Sequence, residues 1–130
     1  MAVNSSKIKA LAKQTYDALS TEFPDSTCSL DNDCPHNLAV RGILSAQCTD
    51  KRVNITAKDL FAKYPDMKQI ADEDPEVIAS IIKPCGLTAS KTKSVIAFAK
   101  KLTEEWGGVI PNYVDLLMEV PGIGRKIANL

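Results

Sequence analysis

Apolar residues recur along this chain at intervals of three and four, the spacing that lays one face of a helix against a core. Ser5–Ser6 can cap a first helix with Ile8, Leu11, Ala12, Tyr16 and Leu19 on one face, ending near Glu22 before Phe23-Pro24. Residues 24–35, PDSTCSLDNDCP, have the composition of a loop. The pattern then predicts a helix from His36 to Cys48, and another capped by Thr49 or Asp50 that carries Val53, Ile55, Ala57, Leu60 and Phe61 and stops at Tyr64-Pro65. A short helix follows at Met67–Ala71. Asp74-Pro75-Glu76 opens the next, with Asp at the cap and Pro at the first helical position, and it stops around Lys83–Gly86. Ser90 is placed to cap a longer helix striped by Val95, Ile96, Ala99, Leu102 and Trp106, closed by Gly107–Gly108. Pro111-Asn112 opens another, with Val114, Leu117 and Met118 inward. Val120-Pro121-Gly122-Ile123-Gly124 interrupts it, and Arg125–Leu130 reads as the start of one more helix. No segment alternates as a strand does. Seven or eight short helices joined by short loops predict an all-α domain.

Composition narrows the function classes. The 130 residues are 45% hydrophobic and 25% charged, which suits one folded domain and not a disordered chain. Apolar runs last only a few residues, far short of the roughly 20 of a membrane helix, and residues 1–13 lack a signal-peptide core. Secretion and membrane anchoring are therefore not expected. Net charge is zero, so no strongly basic balance announces nucleic acid. The balance is uneven, however: residues 1–77 carry a net −3 and residues 78–130 a net +3. The basic end coincides with the most informative motif.

Cys28, Cys34, Cys48 and Cys85 form no C-x-x-C pair, which disfavours a zinc ribbon. Cys48 reads as a small buried hydrophobe in a helical run, and Cys28 and Cys34 as reduced loop thiols. His36 is the only histidine, so a catalytic triad plus a metal site is out of reach, and its place after Pro35 suits a first-turn residue.

The motif is Leu116–Leu130, LLMEVPGIGRKIANL. A helix ends, a P-G-x-G corner turns, and a second helix starts. Glycines there permit backbone conformations closed to other residues and leave no side chain to obstruct a partner. Corner amides and the next helix start can then face an anion, most naturally a phosphate, with Arg125 adding charge. Such contact positions DNA without reading bases.

VPGIGRKIANL resembles the helix-hairpin-helix of the endonuclease III family of DNA glycosylases. Leu44-Ser45-Ala46-Gln47-Cys48-Thr49-Asp50 resembles that family's LSAQ-x-TD segment, and Gly86-Leu87-x-x-Ser90-Lys91 its GL-x-x-x-K stretch. The three stand in the family's order and spacing, and cover the chain from about residue 36. The resemblance implies an all-α helix-hairpin-helix glycosylase fold. Residues 1–23 would be an N-terminal helix, and residues 36–130 a six-helix-barrel domain ending in the hairpin at about 113–130, cut within its second helix. It implies base-excision repair, with a damaged or abasic DNA duplex as partner and oxidised pyrimidines as the first lesion to test.

The resemblance also implies that Lys126 attacks the sugar C1′, so that an imine forms and β-elimination cuts the strand. An amine attacks only when deprotonated, a state favoured by burial or nearby positive charge. From spacing alone, Lys126 is better read as a solvated first-turn lysine of a binding helix, and only the three-part resemblance reverses that order. Gln47 is similar to the residue that fills the gap left by an extruded base, and Leu87 to the wedge in the opposite strand. Taken without the resemblance, they are a helix-surface amide and a buried leucine. Val120, Gly122, Ile123, Gly124 and Arg125 would contact the phosphate backbone. Ser45 and Asp50 would shape the cleft, though a surface hydroxyl and a helix cap explain them too. Backbone carbonyls of Met118, Val120 and Ile123 correspond to those that hold a monovalent cation in the family.

The family's essential aspartate, and its [4Fe-4S] cysteines where present, follow the second hairpin helix; the four cysteines here do not match that spacing. The expectation is thus a portion of a longer enzyme, with no cofactor of its own in residues 1–130, little activity or DNA affinity alone, and Ile8, Leu11, Tyr16 and Leu19 incompletely covered. It would act as a monomer, in the cytoplasm at the nucleoid of a prokaryote, or otherwise in the nucleus or mitochondrion. Two other readings stay open: a hairpin module that docks DNA without chemistry, and an inert helical scaffold.

Overall fold

The computed structural model describes residues 5–31 and 33–130, and residues 1–4 of the predicted N-terminal segment lie outside it. The described residues form eight α-helices and one 3₁₀ turn, with no strand among them. The helices are α1 (Ser5–Glu22), α2 (Pro35–Leu44), α3 (Asp50–Lys63), α4 (Met67–Asp72), α5 (Pro75–Ile82), α6 (Thr88–Glu104), α7 (Val114–Leu117) and α8 (Arg125–Ala128); the 3₁₀ turn is Lys83–Cys85. No described helix is long and apolar enough to cross a membrane.

The core is organised by α6. Its Val95, Phe98, Ala99 and Leu102 are buried, and it packs on α4, α5 and α2. Ile70 of α4, Ile78 and Ile82 of α5, Val53 and Leu60 of α3 and Leu44 of α2 are fully covered in the same cluster. Burying each such side chain contributes about 1.5–3 kcal/mol. Local chemistry sets the helix starts. Asp66 and Gln69 make a reciprocal capping box on α4, and Asp74 accepts from the Glu76 amide ahead of Pro75 on α5. At the far end of α6, Gly107 and Gly108 both adopt positive φ, letting Gly108 N–H donate to Leu102 O at 2.7 Å and the chain leave sharply.

Four expectations are corrected. Helix α2 stops at Leu44, four residues early, because Ser45 turns back on Gly42 and Gln47 leaves helical space; Cys48 is therefore half-buried in a turn. Helix α3 takes Thr49, one of its two expected caps, which accepts from Arg52 N–H, but Ile55 of its apolar set points to solvent. Ser90 does not cap α6. The helix starts at Thr88 from a left-handed Leu87, and the Ser90 hydroxyl donates back to Leu87 O at 3.1 Å. Helix α7 begins only at Val114, and Met118 lies outside it, partly exposed. Helix α1 buries none of its residues: Ile8, Leu11, Tyr16 and Leu19 are at least half exposed, as expected.

Candidate nucleic-acid interface

The corner between α7 and α8 is held from beneath and open above. Val120 and Ile123 are buried, at 1% and 4% exposure, while Pro121, Gly122 and Gly124 are exposed. Ile123 N–H donates to Val120 O at 3.1 Å and closes the turn. Gly122 has φ 90°, and a Cβ there would collide with the Ser94 side chain of α6. On the other side, a Cβ on Gly42 of α2 would meet Ile127 Cγ2 at 2.8 Å, so α8 rests directly on the α2 backbone. Lys101 of α6 pairs with Glu119 at 3.0 Å and with Glu105 at 2.9 Å, which pushes the Lys101 ammonium pKa upward and ties the corner to the long helix.

Among the described residues, the Gly122 and Gly124 amides donate to no group of the chain, and Arg125 and Lys126 are exposed without a carboxylate partner. Two free amides and two cations at one surface corner suit an anionic partner. The expected helix-dipole contribution is smaller than the sequence suggested. Helix α8 is a single turn, so the loop amides and Arg125 carry the attraction.

The second feature is a pair of left-handed residues. Gln47 (φ 52°) and Leu87 (φ 48°) are the only non-glycine residues at positive φ among those described, and both are exposed. Each costs about 1–2 kcal/mol relative to ordinary backbone. Such strain persists only where surrounding contacts enforce it. Around Gln47, Ser45 N–H and Oγ both donate to Gly42 O, at 3.2 and 2.6 Å, and Cys48 N–H donates to Ser45 O at 3.2 Å. Around Leu87, Gly86 N–H donates to Lys83 O and Lys91 N–H to Leu87 O, both at 3.0 Å. The two turns share a floor. The buried Cys85 thiol, one residue before Gly86, contacts the Cys48 thiol, one residue after Gln47. Burial pushes the Cys85 thiol pKa up, the Cys48 thiol adds to this, and Thr56 and Lys91 oppose it.

Residues 40–128 match the profile of the HhH-GPD superfamily base excision DNA repair protein family. The chain belongs to that superfamily. It is similar to the endonuclease III of Synechocystis sp., 41% identical over 108 residues, or 83% of this chain and 49% of that protein. The endonuclease III of Bacillus subtilis is 38% identical over 114 residues, 88% and 52% of the two chains. Among solved structures, a non-covalent endonuclease III–DNA complex superposes with TM-score 0.83 at 32% identity, covering 98% of this chain and 58% of that one. The chain spans about half the length of the curated relatives it matches.

Within this HhH-GPD chain the remaining predicted residues take structural duties. The Ser45 hydroxyl is spent on Gly42 O, ending α2. Asp50 accepts from the Ser29 hydroxyl, and Asn54 holds the same loop, donating to Ser29 O and accepting from Asp31 N–H, both at 2.9 Å. Leu87 is not the buried leucine that its sequence setting alone predicts: it is 52% exposed. Met118, Val120 and Ile123 lie together on the corner. Of their carbonyls, Val120 O accepts Ile123 N–H, while Met118 O and Ile123 O accept nothing from the described residues. Free carbonyl oxygens are the donor set of a hard cation, so these residues fit one. Among the described residues no three His, Cys, Asp or Glu side chains gather to hold a metal, and all four cysteines are free thiols.

Sequence reasoning missed Arg41, Ser94 and Lys101. Arg41 is buried, donates to Asp31 O at 2.9 Å, pairs with Asp33, and stacks 5.3 Å from the Phe61 ring centre. Its one signal was to stand as the sole Lys, Arg, Asp or Glu of α2, between Val40 and Gly42-Ile43-Leu44. An open apolar groove of about 360 Å³, lined by Leu38, Ala39, Ile110, Leu117, Ile127 and Leu130, runs between α2 and the two hairpin helices.

Proposed function

We propose that this chain is the helical-barrel portion of a DNA glycosylase with abasic-site lyase activity. The corner at residues 121–124 grips a backbone phosphate through the Gly122 and Gly124 amides and Arg125. Gln47 and Leu87 enter the duplex from their rigid turns and hold the damaged nucleotide out of the stack. The Lys126 amine attacks C1′, the N-glycosidic bond breaks, and the base departs with the electron pair and takes up a proton. The sugar ring opens as the C1′ imine forms. Loss of a C2′ proton then expels the 3′-phosphate, and water releases the lysine. A monovalent cation on the Met118, Val120 and Ile123 carbonyls would add positive charge beside that phosphate.

One observation carries the reading: an exposed corner with free amides, anchored by Val120 and Ile123, stands two residues before an exposed lysine. The aspartate and the cysteine cluster that the resemblance calls for have no counterpart within residues 1–130, so efficient base removal is expected only where they are supplied. A damaged pyrimidine is the proposed substrate.

Borohydride trapping on abasic duplex tests this. A covalent adduct mapping to Lys126, lost in Lys126→Ala with duplex affinity retained, is expected from a chain supplied with the following segment of a relative. Binding without any adduct leaves a hairpin module that docks DNA. No salt-sensitive binding leaves a scaffold.

A further inference from the structure

Two cationic side chains are buried among the described residues, Arg41 and Lys91, at 4% and 3% exposure. Arg41 has a carboxylate partner in Asp33. Lys91 has none among the described residues; its Nζ donates to Cys85 O at 2.7 Å. An ammonium taken out of water without a counter-charge is costly, so its retention calls for a task. The lysine sits at a telling place. Cys85 ends the 3₁₀ turn, and Gly86 and Leu87 follow it at positive φ, 73° and 48°. The Lys91 side chain thus grips the carbonyl just before the left-handed pair, and its own N–H grips the carbonyl of Leu87 just after. The ammonium closes a clamp over a glycine, which takes positive φ freely, and a leucine, whose own chemistry disfavours it.

We infer that Lys91 is a positioning residue: it holds Gly86–Leu87 in the left-handed corner and so presents Leu87, ready-formed, to the duplex. This rests on the reading of Leu87 as the wedge. A preformed wedge spends no binding energy on ordering itself, so its advantage falls on DNA that must be unstacked and not on intact DNA. A lysine serving only the core would alter stability and affect both kinds of duplex alike.

The test uses two duplexes. One carries a tetrahydrofuran abasic analogue opposite 2-aminopurine, which no lyase step can cleave, and the other is intact. Affinities for both, and 2-aminopurine fluorescence at saturation, are compared in the chain supplied with the following segment of a relative, unsubstituted and as Lys91→Met, Lys91→Arg, Leu87→Ala and the Lys91→Met/Leu87→Ala double variant. Lys91→Met should reduce the abasic-over-intact affinity ratio by about tenfold, the worth of one charge-assisted hydrogen bond. It should also suppress the fluorescence rise and leave intact-duplex affinity unchanged. Lys91→Arg should recover much of the loss. The double variant should be no worse than Leu87→Ala, because the lysine acts through that leucine. The inference is overturned if Lys91→Met keeps the ratio and the fluorescence, if it weakens both duplexes equally, if it no longer unfolds cooperatively, or if the two losses multiply. Should Leu87→Ala leave the ratio intact, the wedge reading falls and this inference with it. Trapping at Lys126 is scored separately, in the unsubstituted chain and Lys126→Ala, so that a failure of the lyase reading is told apart from a failure of this one.

Discussion

Gly122 and Ser94 stand so close that a Cβ on the glycine would lie 2.5 Å from the serine Oγ and 2.8 Å from its Cβ. The hairpin corner is therefore seated on α6 by the absence of a side chain. Gly122→Ala meets both this overlap and the φ of 90°, and should destabilise the chain by about 2 kcal/mol. Gly124 offers the control, with no heavy atom within 4 Å and extended backbone at φ −90°. Gly124→Ala should stay within about 0.5 kcal/mol of the parent. Urea denaturation of the two variants measures the contrast.

Gln47 separates two pictures of the segment after α2. In a helix continuing to Cys48, Gln47→Gly would cost about 1 kcal/mol. In the observed left-handed turn, glycine removes strain while adding freedom to the unfolded chain. Gln47→Gly should therefore be neutral or stabilising by up to about 1 kcal/mol, and Gln47→Val destabilising by about as much. Thermal unfolding distinguishes these outcomes.

The Asp33 carboxyl is drawn down from the ordinary 3.8 to about 2, first by its hydrogen bond with Arg41 and then by that with Asn37. A depressed carboxyl contributes stability that is present above the unfolded value and lost as pH falls through the folded one. The loss should fall between pH 3.8 and about 2. Glu73, lowered by the Tyr64 hydroxyl, contributes with the same sign. Subtracting the melting profile of Asp33→Asn from that of the parent isolates the Asp33 component. The difference should shrink across that window, and a flat difference would contradict the pairing.

Thiol reactivity should follow burial. Cys28 is exposed and Cys85 is 3% exposed with its thiol pKa pushed up. A maleimide should label Cys28 within the dead time of hand mixing and Cys85 only upon global unfolding, with Cys34 and Cys48 between them. Peptide mapping after timed quenching reads the order.

Arg125 should contribute charge and no sequence preference. Arg125→Gln should weaken duplex binding uniformly across sequences and make the slope of log affinity against log salt shallower by about one. Fluorescence anisotropy over a salt series checks it.

Much of this was legible because it depends on local chemistry. The caps at Asp74 and the stop at Tyr64-Pro65 follow from a few adjacent residues, and the buried stripe of α6 follows from periodicity. What escaped depends on through-space contacts. Nothing near Gln47 or Leu87 in sequence announces a left-handed backbone, since neither is a glycine; the Cys48–Cys85 contact lies beneath both turns across 36 intervening residues, and the Lys91 side chain reaches back over 5 to Cys85 O. Ser90 has ideal capping chemistry, yet the turn before it consumed that role. Arg41 drew no notice in the sequence, and only folding placed Asp33 and Phe61 around it. The corner at 121–124 was visible as a motif, whereas its seat on Ser94 was not.

Val120 and Ile123 belong to the same apolar cluster as Phe98 and Leu102. Any variant that keeps this interior therefore keeps the corner above it. Side chains at 47 and 87 are the opposite case: they stand exposed on turns and can be exchanged without disturbing that interior.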